Sequence, residues 1–129
     1  MTYYTEELKR IKAMCFSNEE QVEMAVNTKR YLDIHFASEI NLTQLAQLRY
    51  TSKYHLIRVF KRYYGLTPRQ YLIDKRIEKA RAMLKAGESV SDTCFLVGYD
   101  SVQSFSHLFK AKSGMSPSAY RRATFDKSK

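Results

Sequence analysis

Residues 52–71 read SKYHLIRVFKRYYGLTPRQY, and residues 101–120 read SVQSFSHLFKAKSGMSPSAY. The second stretch repeats the plan of the first. Phe60-Lys61 and Phe109-Lys110 each close an amphipathic run. Gly65 and Gly114, Pro68 and Pro117, then Tyr71 and Tyr120 follow in the same order, and every pair stands 49 residues apart. A glycine can end a helix in a left-handed turn, and a proline suits the first position of the next one. Each copy is therefore one helical unit. No stretch shows period-two alternation, so an all-α protein is expected. It has about seven helices, arranged as two helix-turn-helix subdomains joined by a long linker helix.

Working outward from the repeat divides the chain into an N-terminal extension at residues 1–18, a first helix-turn-helix subdomain at 19–66, a linker helix at 67–86, a second subdomain at 87–122 and a basic tail at 123–129. The tail is expected to fray. A first helix is predicted from Glu19 to Phe36, with Val22, Ala25, Val26, Leu32 and Phe36 in one stripe, and Lys29 intruding on it with a stem able to snorkel. Tyr4 to Phe16 reads as a short separate helix. Asn41 can cap the next helix, with Gln44 at the capping-box position and Leu42, Leu45, Ala46 and Leu48 facing inward. Ser52 caps a helix from Lys53 to about Tyr64, whose inward residues are Leu56, Val59, Phe60 and Tyr63. Thr67-Pro68 opens the linker helix, which carries Tyr71, Leu72, Ile77, Ala80, Met83 and Leu84 on its apolar positions and ends near Gly87. In the second copy Ser89 caps a helix to Val97, a turn falls at Gly98-Tyr99, and a helix runs from Ser101 to Lys112. Ser116-Pro117 starts a short last helix through Tyr120 and Arg122.

The chain carries 22 Lys and Arg against 13 Asp and Glu, a net charge of +9. Position matters more than the total. Glu6, Glu7, Glu19, Glu20 and Glu23 gather early. Between Glu39 and Asp74 there is no acid, but there are Arg49, Lys53, Arg58, Lys61, Arg62 and Arg69. Between Asp100 and Asp126 the only charged residues are Lys110, Lys112, Arg121 and Arg122. The basic runs thus fall on the repeated units, which points to a polyanionic partner. No apolar stretch approaches the roughly 20 residues needed to span a bilayer, and the first ten lack a signal-peptide core. A cytoplasmic address is expected by default. Cys15 and Cys94 share no metal-site spacing with each other or with the histidines, so no metal and no cofactor is expected. No nucleophile constellation, phosphate-cradling glycine loop or H-E-x-x-H is present, which argues against an enzyme.

Each copy reads helix, tight turn, helix, with a small residue (Ala46, Cys94) inside the first helix that allows the second to cross closely. In this arrangement the second helix enters the major groove of DNA, where base edges present a distinguishing pattern of donors and acceptors. The run Ser52-Lys53-Tyr54-His55-Leu56-Ile57-Arg58-Val59-Phe60-Lys61, followed by Gly65-Leu66-Thr67-Pro68, resembles the first half of the AraC/XylS family DNA-binding domain. Tyr71-Leu72, Arg76-Ile77, Ala80 and Leu84 resemble its linker helix. Val97-Gly98-Tyr99-Asp100-Ser101, Phe105-Ser106-His107-Leu108-Phe109-Lys110, Gly114-Met115-Ser116-Pro117 and Tyr120-Arg121 are similar to its second half. The likeness covers about residues 22 to 122. It implies a bacterial, sequence-specific transcription regulator whose two recognition helices enter successive major-groove segments of double-stranded DNA, with RNA polymerase as a further partner for an activator. No membrane and no small-molecule ligand is implied.

Carried over residue by residue, the resemblance makes Tyr54, Ile57 and Arg58 the base-reading face of the first unit. Val102, Gln103, Ser106 and His107 form that of the second. Arg58 can pair bidentately with guanine and Gln103 with adenine, while Ile57 and Val102 offer apolar contact such as to a thymine methyl. Phosphate contacts fall to Lys53, Lys61, Arg62, Ser101, Lys110 and Lys112, with helix starts near Thr43 and Ser91. Arg76 reads equally as a phosphate contact or as a structural partner. The sequence departs from the family pattern at Tyr50 and Thr51, where glycine and an apolar residue are usual, and at Thr93 and Cys94, which replace an aliphatic residue and alanine. Some relatives couple this domain to alkyl-group transfer, but nothing around Cys15 supports a reactive thiol. Two other readings stay open: a protein-interaction module, whose outward helix faces would be apolar, and a non-specific nucleic-acid binder. A short stand-alone regulator and the end of a longer one both fit the sequence.

Overall fold

A computed structural model describes residues 2–125, excluding the side chains of residues 2–4 and 8–17. Cys15 and the end of the basic tail lie outside that description. The described chain forms seven helices and no strand: α1 (Thr2–His35), α2 (Leu42–Leu48), α3 (Lys53–Tyr64), α4 (Pro68–Lys85), α5 (Val90–Leu96), α6 (Val102–Ser113) and α7 (Pro117–Phe125). None of these is long and apolar enough to cross a membrane.

Local chemistry sets the boundaries. Before α2, Asn41 Oδ1 accepts the Gln44 N–H at 3.1 Å, and before α3, Ser52 Oγ accepts the His55 N–H at 3.1 Å. Ser89 and Ser101 do the same for Asp92 and Ser104 at 3.0 and 3.2 Å. Each bond satisfies one of the N–H groups a helix start leaves free. Gly65 (φ 81°) and Gly114 (φ 82°) stop α3 and α6 in the left-handed conformation, their N–H groups bonding to Lys61 and Lys110 carbonyls.

Two compact units share the chain. The first comprises α1 as far as Tyr31 together with Asn41–Pro68; the second comprises Leu32–Ile40 and the chain from Arg69 onward. In the first, Met24 and Ala25 of α1 pack with Ala46 of α2 and Leu56 and Val59 of α3, flanked by Leu42, Leu45 and Tyr64. In the second, Ile77, Ala80 and Leu84 of α4 meet Cys94, Val97, Phe105 and Phe109. A chain of ring contacts, Tyr99–Phe105–Phe109–Tyr120 at 5.7, 5.8 and 5.4 Å, runs through that core. Burying each large side chain contributes about 1.5–3 kcal/mol.

Several expectations require correction. Tyr4–Phe16 is not a separate helix, and α1 does not begin at Glu19. Ser17 and Asn18 could cap a helix there, but no proline or glycine precedes Phe36, and α1 runs through all 34 residues. Its buried stripe is rotated from the one predicted. Met24, Ala25, Thr28 and Leu32 are buried, while Val22 and Val26 are 43% and 40% exposed. Thr28 is tolerated inside because its hydroxyl donates to the Met24 carbonyl at 2.7 Å. Leu48 does not face inward. In α3, Tyr63 points outward and Tyr64 packs instead against Phe60, with ring centroids 4.8 Å apart. The last helix continues past Arg122 to Phe125.

Candidate nucleic-acid interface

On α3, Leu56, Val59 and Phe60 are buried, which turns the opposite face to solvent. Tyr54, Ile57, Arg58 and Lys61 follow one another at helical spacings of three, one and three, so they share that outward stripe. Tyr54 is 71% exposed. Arg58, Lys61 and Arg62 are exposed and Ile57 half-buried. Lys53 is half-buried, its Nζ 5.4 Å from the Tyr54 ring centroid. Arg62 also reaches Gln21 of α1 at 3.3 Å.

On α6, Phe105 and Phe109 are buried, and the outward stripe is Val102, Gln103, Ser106, His107 and Lys110. Ser106 is half-buried; the other four are exposed. The 49-residue repeat superposes the two stripes in sequence: Gln103 answers Tyr54, Ser106 answers Ile57, His107 answers Arg58, and Lys110 answers Lys61. Ser101 caps α6, so its oxygen accepts the Ser104 N–H while its own O–H remains a donor. Lys112 is exposed and pairs with Asp74 at 3.0 Å. Thr43 and Ser91 are exposed in the first turns of α2 and α5. The last turns of α3 and α6 hold Lys61, Arg62, Lys110 and Lys112. Cations there also favour the negative helix end, so they stabilise the helices as well as offering charge to a partner.

A count of basic residues overstates the cations available. Arg76 Nε donates to the Phe36 carbonyl at 2.7 Å and its Nη2 to the Ser38 carbonyl at 2.9 Å. Arg81 reaches Ser113 Oγ and the Lys112 carbonyl at the end of α6. Arg121 closes on the carbonyls of Gly87 and Glu88 before α5. All three work as clamps on backbone oxygens within the second unit. These bonds give Arg76 a structural role. Sequence spacing carries no sign of this, because the acceptors are main-chain atoms brought near by folding.

The departures from the family pattern also find their places. Tyr50 holds φ 54° in the turn before α3. Gly98 holds φ 105°, and a Cβ there would lie 3.0 Å from the Ala37 carbonyl oxygen and the Arg76 guanidinium. Thr93 and Cys94 are both fully buried. Burial, then the nearby Asp100 charge, pushes the Cys94 thiol above its ordinary range, and its S–H points to the Tyr99 carbonyl at 3.8 Å. Cys94 is a packing residue.

A helix-turn-helix domain family profile matches residues 45–123. The MmsAB operon regulatory protein of Pseudomonas aeruginosa is 37% identical over 93 residues, 71% of this chain and 30% of that protein. The C-terminal domain of AraT, a response regulator from Geobacillus stearothermophilus, matches with a TM-score of 0.73 at 29% identity, over 78% of this chain and 84% of that one. The DNA-binding domain of AdpA, a global transcriptional factor solved in complex with a target DNA, matches with a TM-score of 0.73 at 26% identity, over 80% and 94%. The chain spans less than half the length of the first curated relatives it matches.

Proposed function

The chain belongs to the AraC/XylS helix-turn-helix family, and from that premise we propose that it is a DNA-binding unit of a transcription regulator, reading double-stranded DNA with α3 and α6. The observation that carries this reading is the pair of outward stripes, related by the internal repeat and each closed by lysine. In the first, Tyr54, Ile57 and Arg58 read base edges. In the second, Val102, Gln103, Ser106 and His107 do so. Lys53, Lys61, Arg62, Lys110 and Lys112, with the hydroxyls of Thr43, Ser91 and Ser101, hold the phosphates. The two helices enter successive major-groove segments. Where the protein activates, RNA polymerase is its second partner, and the cytoplasm is where both are met. No catalytic step belongs to this reading.

Beside apolar Ile57 and Val102 the stripes carry Arg58, Lys61, Gln103, Ser106, His107 and Lys110, which disfavours α3 and α6 as apolar protein-docking faces. Arg58 and Lys61 lie on one stripe but carry different chemistry, and substitution separates base reading from phosphate holding. Arg58→Ala is expected to cost about 1–3 kcal/mol and to relax preference at one base pair. Lys61→Ala is expected to weaken all duplexes alike and to flatten the salt dependence by about one ion. Quantitative binding to a selected duplex and to its single-base variants checks both. An equal loss on every duplex for Arg58→Ala removes that residue from the base-reading face. Competition by scrambled duplex at raised salt separates sequence-specific binding from a general affinity for nucleic acid.

A further inference from the structure

Between α1 and α2 of the first unit lies a groove of about 730 Å³ that takes no part in either DNA-reading stripe. Buried Met24 and Thr28, with half-buried Leu45, line its depth, and exposed Glu20 and Glu23 line its α1 side. Leu48 and Tyr50 stand at its α2 side, 79% and 100% exposed. They are the most exposed of the large apolar side chains among the described residues. Tyr50 moreover occupies a left-handed backbone position that glycine would fill without strain. That turn lets the Tyr50 and Thr51 N–H groups close on the Gln47 and Ala46 carbonyls at 3.1 and 3.0 Å, which glycine would do equally well, while the ring itself is fully exposed.

Charge points to the occupant. On a chain of net charge +9, the groove carries two carboxylates against one cation, Arg49, which pairs with Glu23 at 3.8 Å. Exposed Glu19 stands on the same turn of α1. This patch repels a duplex and attracts a cation. The α1 residues along it run from Glu20 to Tyr31, about 16 Å at helical rise, which matches a row of i, i+3, i+4 and i+7 side chains on a docking helix. We infer that the groove docks a basic amphipathic helix of a partner protein. Its apolar row lies on Met24, Leu45, Leu48 and Tyr50, and its Lys or Arg flank faces Glu20 and Glu23. The inference is independent of DNA reading.

The test titrates the isotope-labelled full chain with a synthetic 18-residue helical peptide that has leucine along one row and lysine elsewhere, and with its twin in which glutamate replaces every lysine. The lysine peptide is expected to shift the methyl signals of Met24, Leu45 and Leu48 and the ring of Tyr50, and the glutamate twin to leave them in place. The protein's overall charge alone favours the reverse order, so the expected result isolates the groove. Glu20→Gln with Glu23→Gln is expected to weaken the lysine peptide about 3- to 10-fold. Leu48→Ser and Tyr50→Gly, both at exposed positions, are each expected to weaken it about tenfold, with affinity for duplex DNA unchanged. Failure of the lysine peptide to move the groove signals overturns the proposal, as do equal groove shifts with the glutamate twin or shifts confined to α3 and α6. Concentration-dependent shifts of the same methyls without peptide assign the groove to a second copy of the chain and also overturn it.

Discussion

Tyr50 sets an aromatic side chain at φ 54°, a region where a Cβ crowds the backbone at a cost of about 1–2 kcal/mol. Glycine escapes that crowding but loses more backbone freedom on folding. Tyr50→Gly is therefore expected to stabilise the protein by up to about 1 kcal/mol, measured as a raised urea midpoint with an unchanged slope. The sequence announced this strain through the family pattern, because glycine is usual there. A second residue runs the other way. Thr93 is fully buried, and its Oγ1 has no hydrogen-bond partner among the described residues. Thr93→Val keeps the shape and removes the unmatched hydroxyl, so a gain of about 1 kcal/mol in the same unfolding measurement is expected. A loss of stability would show that the hydroxyl is bonded.

Among the elements, what could be read beforehand was whatever short-range chemistry decides. The capping oxygens of Asn41, Ser52, Ser89 and Ser101, the stops at Gly65 and Gly114, and the starts at Pro68 and Pro117 involve atoms within one turn of each other. What could not be read depends on distant partners. Val22 and Val26 set the wrong phase for α1, because Thr28 reads as polar although its hydroxyl hides in its own helix. Spacing alone turns Leu48 and Tyr63 inward, although Leu45 and Tyr64 are the residues that pack against the core. The arginine clamps are a third case. Arg76 holds two carbonyls at the end of α1 from its place on α4. Arg76→Met keeps the length of the side chain and loses both bonds, for an expected cost of about 1.5–3 kcal/mol in unfolding free energy. The slope of log affinity against log salt for duplex DNA is expected to stay as in the parent, because two of this guanidinium's donors are held by main-chain carbonyls. A slope reduced by about one ion would return Arg76 to the phosphate contacts.

For the whole molecule, net charge and repeat tell the same story at different resolution. The charge of +9 suits a polyanionic partner, but part of it is held in internal clamps, and the proposed reading assigns sequence-dependent recognition to two short stripes. The candidate stripes on α3 and α6 come from the family resemblance, and the structure sets Tyr54, Arg58, Gln103 and His107 outward, away from buried Leu56, Phe60, Phe105 and Phe109. The groove beside α1 is not legible in the sequence, since spacing alone turns Leu48 inward and nothing in the sequence brings Glu20 and Glu23 beside Leu48 and Tyr50. The central claim is that α3 and α6 read DNA as a pair, and the most direct measurement is a footprint of the protein on duplexes selected from a random library. Protection of two major-groove segments about one turn apart, roughly 34 Å, with Arg58→Ala relaxing base preference in only one of them, is the predicted result. A selected pool without any common sequence, or protection of a single segment unaffected by substitutions on either helix, would contradict it.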